Sequence, residues 1–322
     1  MRWLLVLLVA CGHPAAPARG RVVKVTHHSA ALGVDKQYVV YLPAGYDREP
    51  ATRWPVFYYL HGVTSPETEW VSDGHLDAAA DALALAAIVV MPDGDDGFYI
   101  DSTWPIDHDA CLRDGAGLFD PGADRPATCV RSRAYESYIV KDLIPHVDAT
   151  YRTIVRKDGR SIAGVSMGGF GAWSLALRHQ DLFAAAASHS GVLALGYAGP
   201  HPYVAGKVTI ADDVAAFLDP HKPLADWVRH VFGPDPLTWH ASDPATLVTT
   251  LAPGALALYM DCGTDDHFQF ADHARYVHDL LAARRIEHVM FLGPGAHDYA
   301  FWVPRLPVSL AFLRDHTAKP ER

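Results

Sequence analysis

The sequence lacks an excess of basic residues and any clear point at which it could be divided. Its 27 lysines and arginines are outnumbered by 37 aspartates and glutamates, which gives a formal net charge of −10. Phosphate recognition needs a basic face, so this balance argues against a nucleic-acid partner. The chain also has no Ser/Gly-rich linker, no block of like charge and no internal repeat. We therefore predict a single large domain over residues 21–322.

A hydrophobic run long enough to cross a membrane is also missing from the first residues. The stretch MRWLLVLLVAC, residues 1–11, has one arginine followed by an apolar run that is shorter than a membrane span. Its end resembles a bacterial lipobox, in which Cys11 would be acylated and the following residues, up to residue 20, would form a tether. An ordinary secretory signal and a misassigned start are the alternatives. We expect export to the bacterial cell envelope, with lipidation of Cys11 providing a membrane anchor.

Cysteine is scarce, with four in 322 residues. Cys111 and Cys129 flank a loop rich in glycine, aspartate and proline. Export favours a disulfide that closes this loop, and two free thiols are the alternative. Cys262 lies beside an apolar strand and is expected to be a small core residue. The 19 histidines include no pair with zinc-ligand spacing and a third partner, so no metal site is predicted.

Apolar segments alternate with segments of helical period along most of the chain. Seven apolar segments have the pattern of strands, several of them continuous as in parallel strands buried on both faces: residues 37–43, 54–62, 84–94, 160–166, 183–191, 254–263 and 286–295. Helical patterns occupy residues 137–151, 170–179, 268–285 and 303–316. This alternation predicts an α/β fold with a mostly parallel sheet, in which ligands bind beyond the carboxyl ends of the strands. Two regions without a clear period, residues 95–133 and 196–250, are predicted to form lids or binding loops.

One serine stands out because four glycines surround it in SIAGVSMGGFGAWSLALRH, residues 161–179. The segment from Gly164 to Gly168 matches the G-x-S-x-G pattern, and it follows a predicted strand and begins a predicted helix. A sharp strand–turn–helix bend strains the backbone at the serine, and glycines let the two elements pack closely. The Ser166 hydroxyl would then project over the sheet edge as a nucleophile. A packing turn that carries a surface serine is the alternative.

A serine nucleophile needs a base and an acid, which in this architecture follow in the order serine, acid, histidine. We predict that His297 is the base, because it comes in the loop after the last predicted strand. Asp261, Asp265 and Asp266 come at or just after the end of an earlier strand. Asp261 is expected to have a structural role, and either of the other two can supply the carboxylate that orients the imidazole.

An oxyanion hole requires two backbone N–H groups near the serine. One should come from the residue after the nucleophile, Met167, which lies at a helix N-terminus. The other should come from the loop after the third strand, where Gly62 ends the strand and Val63 follows. We therefore assign the two donors to the amides of Met167 and Val63.

Six segments of the chain resemble, in order, the Putative esterase family: RWPVFYYLHG, VVMPDGDDGFYIDS, YIVKDLIPHVDATYRT, SIAGVSMGGFGAWSLALRHQDLFAAAASHSG, DCGTDDHF and GAHDYAFW. This family includes esterase D (S-formylglutathione hydrolase), feruloyl and acetyl xylan esterases, enterochelin esterase and the antigen 85 mycolyltransferases. The resemblance covers about residues 35–310. It implies an α/β-hydrolase fold, with a mostly parallel central sheet of about eight strands flanked by helices, and no metal or organic cofactor.

The resemblance also implies roles for individual residues. The family's nucleophile falls on Ser166, its histidine on His297 and its oxyanion amides on Val63 and Met167. The family's acid stands three residues after the glycine of the strand-end motif and two before a phenylalanine, which here selects Asp266. Relatives are shorter between the segments on either side of residues 104–132, so we identify an insertion there. We expect this insertion to reshape the acyl or leaving-group pocket.

Together these features predict an exported carboxylic ester hydrolase that acts on a small-molecule or carbohydrate ester through a Ser-His-Asp triad and an acyl-enzyme. Three alternatives stay open: an acyltransferase to an envelope sugar or alcohol, a thioesterase of the S-formylglutathione type, and a non-catalytic binding protein. Trp70, Tyr99 and Trp104, in loops on the active-site side, are the candidates for substrate contact. Trp173 and Trp302 are expected to pack in the core.

Overall fold

The computed structural model describes residues 19–120 and 122–322. The predicted signal segment and its predicted lipidation site, Cys11, lie outside the described residues. Among the residues that are described, no helix has both the length and the apolar character that crossing a membrane requires. The division of the chain into a signal segment and one domain therefore stays a prediction.

Ten strands follow one another along the described chain. They are β1 (Arg21–Ser29), β2 (Val34–Leu42), β3 (Val56–Leu60), β4 (Ile88–Pro92), β5 (Arg160–Val165), β6 (Ala185–His189), β7 (Tyr197–Ala198), β8 (Thr209–Ile210), β9 (Ala257–Gly263) and β10 (Val289–Gly293). Eight of them form one sheet, while β7 and β8 pair with each other as a short antiparallel ribbon.

Twelve α-helices and a few shorter turns connect these strands in the described residues. The helices are α1 (Glu69–Ser72), α2 (Leu76–Ala82), α3 (His108–Asp114), α4 (Arg125–Thr128), α5 (Tyr135–Ser137), α6 (Ile144–Thr150), α7 (Met167–Arg178), α8 (Lys222–Phe232), α9 (Pro236–His240), α10 (Pro244–Leu247), α11 (Phe270–Ala283) and α12 (Tyr299–His316). A π-helical segment, Tyr138–Leu143, joins α5 to α6. Turns of 3₁₀ helix lie at Lys157–Gly159, Ala216–His221 and Val248–Thr250.

The order of the strands in the sheet is β1-β2-β4-β3-β5-β6-β9-β10. Strand β2 is antiparallel to both of its neighbours, and every other pair is parallel. The carboxyl ends of β3, β5, β9 and β10 therefore meet at the same edge of the sheet. This is the edge at which ligands bind in sheets of this kind.

All seven strands expected from the sequence are present. Strands β3, β4, β5 and β6 are buried along their whole length, because helices cover both faces of the sheet there. The sequence analysis missed β1, whose residues alternate between exposed and partly buried at the edge of the sheet. Its mixture of valine, lysine, threonine and histidine does not form the continuous apolar run by which the inner strands were recognised.

Two hydrophobic layers lie on opposite faces of the sheet. One contains Phe170 and Trp173 of α7 together with Val277 and Leu281 of α11. The other contains side chains of α2 and α12, such as Leu306. Helix α7, which begins just after Ser166, therefore has its position set by packing against β3, β5 and β6.

The two regions without a clear period differ in the structure. Residues 95–133 contain α3 and α4, and a disulfide joins Cys111 to Cys129 with their Cα atoms 5.7 Å apart. Residues 196–250 contain α8, an amphipathic helix of 11 residues that the sequence analysis missed. Trp227 and Val231 are on the buried side of this helix and Lys222 is exposed.

Candidate active site

Ser166 occupies the sharp bend between β5 and α7. Its φ of 53° and ψ of −116° form a strained combination for a residue with a side chain. The bend is held by a hydrogen bond of 2.9 Å from the Ser166 amide to the carbonyl oxygen of His189. Gly164 and Gly168 are required because a Cβ on either would clash with backbone, that of Gly168 or that of Leu60 respectively. The glycines of this motif thus let β3, β5 and α7 approach closely enough to present the serine.

His297 and Asp266 contact each other at the carboxyl edge of the sheet. The His297 Nδ1 atom lies 2.7 Å from Asp266 Oδ2, and both side chains are buried, at 8% and 0% exposure. Asp266 Oδ1 accepts a further hydrogen bond of 2.8 Å from the Phe268 amide. Burial opposes ionisation of the Asp266 carboxyl, but the hydrogen bond and charge of His297 hold its pKa below the ordinary value. The carboxylate is therefore ionised at neutral pH and fixes the proton of the imidazole on Nδ1.

The other two candidate acids lie elsewhere. Asp265 accepts a hydrogen bond of 3.3 Å from the Gly295 amide and so links the two loops that carry Asp266 and His297. Asp261 lies within β9, where its carboxylate is 2.9 Å from Nδ1 of His189 and is fully buried. The structure therefore brings Asp266 to His297 and gives Asp261 and Asp265 structural contacts.

Ser166 and His297 line the same small cavity, which has a volume of about 150 Å³. The Ser166 hydroxyl and the imidazole are not hydrogen-bonded to each other in the described part of the chain. Such contacts are often long in enzymes without substrate and tighten when substrate binds. Aromatic rings hold the imidazole in place, with the centroids of Phe268 and Trp302 at 4.9 and 5.0 Å from its own.

The amides of Val63 and Met167 are both available beside the serine. Both residues line the cavity. Met167 is the first residue of α7, where no intrahelical acceptor exists for its N–H. Within residues 19–120 and 122–322, neither amide donates a hydrogen bond to a protein acceptor. Two free N–H groups next to a strained serine can donate hydrogen bonds to a developing oxyanion.

Two side chains that the sequence analysis did not name hold the Val63 peptide and the peptide before it in their orientation. The Nδ1 atom of His61 lies 2.8 Å from the Gly62 carbonyl oxygen, which belongs to the same peptide plane as the Val63 N–H. Glu69 accepts hydrogen bonds from the Gly62 amide at 3.0 Å and from the Ser65 hydroxyl at 2.7 Å. With its carbonyl oxygen held by the imidazole, the peptide directs its N–H to the opposite side. His61 stands directly before Gly62, which was the available signal in the sequence.

A model of the family described as Putative esterase matches residues 29–313. The chain belongs to this family. The description of this family agrees with the ester-hydrolase prediction made from the sequence. The site described above lies wholly within the matched residues.

Individual relatives agree with this assignment. An esterase of Mycobacterium tuberculosis is 32% identical over 170 residues, which are 52% of this chain and 31% of that protein. The matched segment thus spans about a third of the length of that relative. S-formylglutathione hydrolase of Rattus norvegicus is 27% identical over 258 residues, 77% of each chain.

Solved structures confirm the α/β-hydrolase fold that was expected. A ferulic acid esterase superposes with a TM-score of 0.67 at 22% identity, over 92% of this chain and 98% of the other. An S-formylglutathione hydrolase from Agrobacterium tumefaciens superposes with a TM-score of 0.68 at 19% identity, over 96% and 99% of the two chains. At these identities the structures establish the fold of this esterase and no more.

Two of the aromatic residues expected to contact substrate are instead buried in the core of the esterase. Trp70 is 1% exposed, donates a hydrogen bond of 3.0 Å to the Leu60 carbonyl oxygen and packs on Tyr59. Tyr99 is fully buried and donates to the carbonyl oxygen of His61 at 3.2 Å. The predictions for both residues were wrong. Each ring fills space beneath the oxyanion loop, where its polar atom satisfies a strand-end carbonyl.

Trp104 is half-buried, but it also does not line the catalytic cavity. Its ring packs against Trp227, with centroids 5.1 Å apart, and the Arg133 guanidinium lies 4.2 Å above it. Trp104 therefore does not contribute to the wall of the catalytic cavity, and its contact with substrate stays a prediction. Trp302, which was assigned to the core, lines the cavity although it is only 6% exposed.

Apolar side chains form most of the cavity wall in the esterase: Phe98, Val165, Val192, Leu218, Leu224, Phe268, Phe270 and Trp302. Described residues of the insertion, 104–120 and 122–132, do not contribute to this wall. They line a separate acidic cavity next to the oxyanion loop, to which Asp95, Asp96, Asp120 and Asp124 contribute. The described part of the insertion therefore does not line the acyl side of the site, and its expected effect on a leaving-group pocket stays a prediction.

The described residues contain no group of three or more histidine, cysteine, aspartate or glutamate side chains that could hold a metal ion.

Proposed function

We propose that this protein is an exported serine esterase that cleaves a carboxylic ester through an acyl-enzyme on Ser166. The observation that carries this proposal is the Asp266–His297 contact of 2.7 Å, in the same cavity as a strained serine and two free amides. A serine hydroxyl is a poor nucleophile by itself, and this arrangement supplies the base, its orienting carboxylate and the oxyanion donors.

In the first step, His297 removes the Ser166 proton through Nε2, and Oγ forms a bond to the ester carbonyl carbon. The carbonyl oxygen becomes an oxyanion that accepts hydrogen bonds from the Val63 and Met167 amides, each of which contributes about 3 kcal/mol. The Asp266 carboxylate stabilises the imidazolium that forms. The carbon–oxygen bond to the alcohol then breaks, and the imidazolium donates its proton to the leaving alkoxide.

In the second step, His297 removes a proton from water, and the resulting hydroxide attacks the acyl carbon. The bond to Ser166 Oγ breaks, the serine recovers its proton from His297 and the carboxylic acid is released. An alcohol or sugar in place of water would give acyl transfer. The reaction class is thus decided by the acceptor that reaches the acyl-enzyme.

The cavity supports an uncharged, compact acyl group. Its wall is mostly apolar, and the carboxylate that lines it, that of Glu69, is already engaged by the Gly62 amide and the Ser65 hydroxyl. A cavity of about 150 Å³ with a mostly apolar wall has room for a group the size of a benzene ring. A short aliphatic or small aryl acyl group fits this space, and a carbohydrate ester would leave its sugar outside.

A thioester of the S-formylglutathione type is the second candidate substrate. It is favoured by the match to the rat S-formylglutathione hydrolase, which covers 77% of each chain. The formyl group would fill only a small part of the cavity. The lipobox-like segment at residues 1–11 favours a location outside the cytosol. For these reasons the oxygen ester is the leading proposal.

A substrate panel tests the function. It comprises p-nitrophenyl esters of increasing acyl length, acetylated and feruloylated sugars, and S-formylglutathione, each with and without an added alcohol. We expect hydrolysis of short acyl or small aryl esters, and labelling of Ser166 by a fluorophosphonate probe. Without labelling or turnover on any member, the non-catalytic binding protein replaces this proposal.

Export and anchoring are tested separately. Mass spectrometry of the mature protein should find an acylated first residue at Cys11, and the change Cys11→Ser should release the protein from the membrane fraction. A mature chain that starts elsewhere without lipid would support an ordinary secretory signal, and an intact first segment in the cytosol would contradict export.

A further inference from the structure

Asp96 contacts the oxyanion loop directly after the proposed donor Val63. Its carboxylate Oδ1 accepts a hydrogen bond of 2.6 Å from the Thr64 amide. Thr64 has a φ of 64°, which is an unfavourable conformation for a β-branched residue and persists only when its surroundings enforce it. The Thr64 hydroxyl donates to the Val63 carbonyl oxygen at 2.7 Å. The peptide that follows the Val63 donor is therefore held at both ends, and Asp96 supplies one of the two contacts.

The same residue also contacts α8 through its backbone. The indole N–H of Trp227 donates a hydrogen bond of 2.9 Å to the Asp96 carbonyl oxygen. Leu224 lies three residues earlier on this helix and forms part of the wall of the acyl cavity. Asp96 thus contacts the oxyanion loop with its side chain and the cavity-wall helix with its main chain.

The insertion holds Trp227 from the other side. The rings of Trp104 and Phe119 pack against Trp227 with centroid distances of 5.1 and 5.5 Å. The Arg133 guanidinium lies over both tryptophans, at 4.2 Å from the Trp104 centroid and 5.6 Å from that of Trp227. The insertion therefore has a route to the active site even though its described residues do not reach the catalytic cavity.

We propose that Asp96 is a positioning residue that couples the oxyanion loop, residues 62–65, to helix α8. The two contacts of Asp96 hold the Val63 N–H in a fixed position relative to Leu224 in the cavity wall. If the loop or the helix loosens, the other one is displaced as well. The inserted segment supports this relation through Trp227. The catalytic part of this inference rests on the proposed serine-esterase function, because Val63 is an oxyanion donor only in that reaction.

The kinetic test uses three variants of the full chain. Asp96→Ala removes the acceptor for Thr64, and we expect kcat on a short p-nitrophenyl ester to fall by about 10- to 100-fold with KM within about threefold, as for a displaced oxyanion donor. Asp96→Asn keeps an acceptor oxygen and should retain most of kcat. Asp124→Ala, in the same acidic cavity but without a side-chain hydrogen bond in the described residues, is the matched control and should be unchanged.

The coupling test does not need activity. Trp227→Phe keeps an aromatic ring but loses the N–H that bonds to Asp96, so amide hydrogen exchange at Thr64, the other partner of Asp96, should become at least about fivefold faster. Exchange in the buried strand β5 should stay unchanged, which shows that the fold is intact. The kcat of this variant should fall by about three- to tenfold.

These measurements separate the two levels of the proposal. An inactive wild-type protein whose Thr64 exchange responds to Trp227→Phe would refute the esterase and retain the coupling. An active wild type with Asp96→Ala equal to Asp124→Ala would refute the positioning role. Equal losses in Asp96→Ala and Asp96→Asn, or unchanged Thr64 exchange in Trp227→Phe, would also overturn it.

Discussion

The molecule contains two clusters of serine, histidine and aspartate that differ in their surroundings. In the first, Ser166, Asp266 and His297 meet at the cavity. In the second, His189 lies 2.9 Å from Asp261 Oδ1 through Nδ1 and 2.8 Å from Ser309 Oγ through Nε2. The second cluster has the tighter serine–histidine contact, yet its three residues are at most 1% exposed, whereas Ser166 is 9% exposed and lines the cavity with His297.

The difference between them shows what the side chains alone cannot supply. Ser309 lies in the interior of α12, where its hydroxyl donates to the Leu306 carbonyl oxygen and its backbone amide belongs to the helix. Ser166 lies on a strained bend with two free amides and a cavity beside it. An active site thus requires access and oxyanion donors in addition to a base and an acid. The buried cluster instead supports the bend, because the His189 carbonyl oxygen holds the Ser166 amide.

Replacing each of the two serines by alanine should give the largest effects, and the two variants should differ most in kcat and in the free energy of unfolding. Ser166→Ala should lower kcat by about 10⁴-fold or more, because the nucleophile is lost. Ser309→Ala should keep kcat within about twofold and lower the free energy of unfolding by about 1–3 kcal/mol, since the buried partners of its hydroxyl lose a hydrogen bond. Ester hydrolysis and urea denaturation measure the two quantities. A Ser309→Ala variant that is folded but inactive would contradict the assignment of a structural role to the second cluster.

The two aspartates provide the second comparison. Asp266→Asn should lower kcat by about 10³- to 10⁴-fold with little change in stability, because an amide favours the wrong tautomer of His297. Asp261→Asn should leave kcat nearly unchanged and destabilise the fold by about 3 kcal/mol, since it leaves Arg305 and His189 without their buried charged partner. Steady-state kinetics beside thermal unfolding tests this pair, and similar kcat losses in both variants would contradict the assignment.

The buried residue His273 sharpens the comparison because, among the residues that the structure describes, neither of its ring nitrogens has a hydrogen-bond partner. Burial lowers the pKa of His273 to about 3. In the unfolded chain this histidine has a pKa of about 6.5, so the unfolded state binds the proton first as the pH falls. The free energy of unfolding therefore decreases between about pH 6.5 and pH 3, and the residue has no effect above that range.

The variant His273→Phe should remove this dependence. Between pH 7 and pH 5 the native protein should lose about 2 kcal/mol more of its unfolding free energy than the variant does. The exposed His28 gives a control, since His28→Phe should keep the slope of the native protein. Denaturant unfolding at several pH values measures the slopes, and parallel curves for native protein and His273→Phe would disprove the prediction.

The smallest effect is expected at Trp302, which contacts His297 in the first cluster and the chain neighbour of His189 in the second. Its ring packs against His297, and its indole N–H donates a hydrogen bond of 3.0 Å to the hydroxyl of Ser190, the neighbour of His189. Trp302→Phe keeps the ring contact and loses the hydrogen bond, so we expect kcat to fall by about threefold. A loss above about 100-fold would mean that the two clusters are not separable.

The sequence predictions succeeded where the local pattern was clear. They failed where that pattern was mixed or where the result depended on contacts between distant residues. The inner strands were recognised because a strand buried on both faces is apolar along its whole length. Strand β1 and helix α8 were missed, since an edge strand has a mixed pattern and the apolar residues of α8 are interrupted by charged and histidine side chains. Trp70 and Tyr99 were misplaced because the loop position of an aromatic residue does not say whether its ring turns toward substrate or toward the core.

The sequence by itself determined the α/β alternation, the glycine-lined bend at Ser166 and the placement of His297 in the loop after the last strand. These features depend on local periodicity and on backbone conformations that few residues can adopt. The resemblance had already selected Asp266 as the acid. Only the tertiary structure decided that Asp261 joins His189 and Ser309, which rings line the cavity, and that Asp96 lies between the oxyanion loop and α8. Those choices depend on contacts between residues far apart in the chain, for which no local pattern exists.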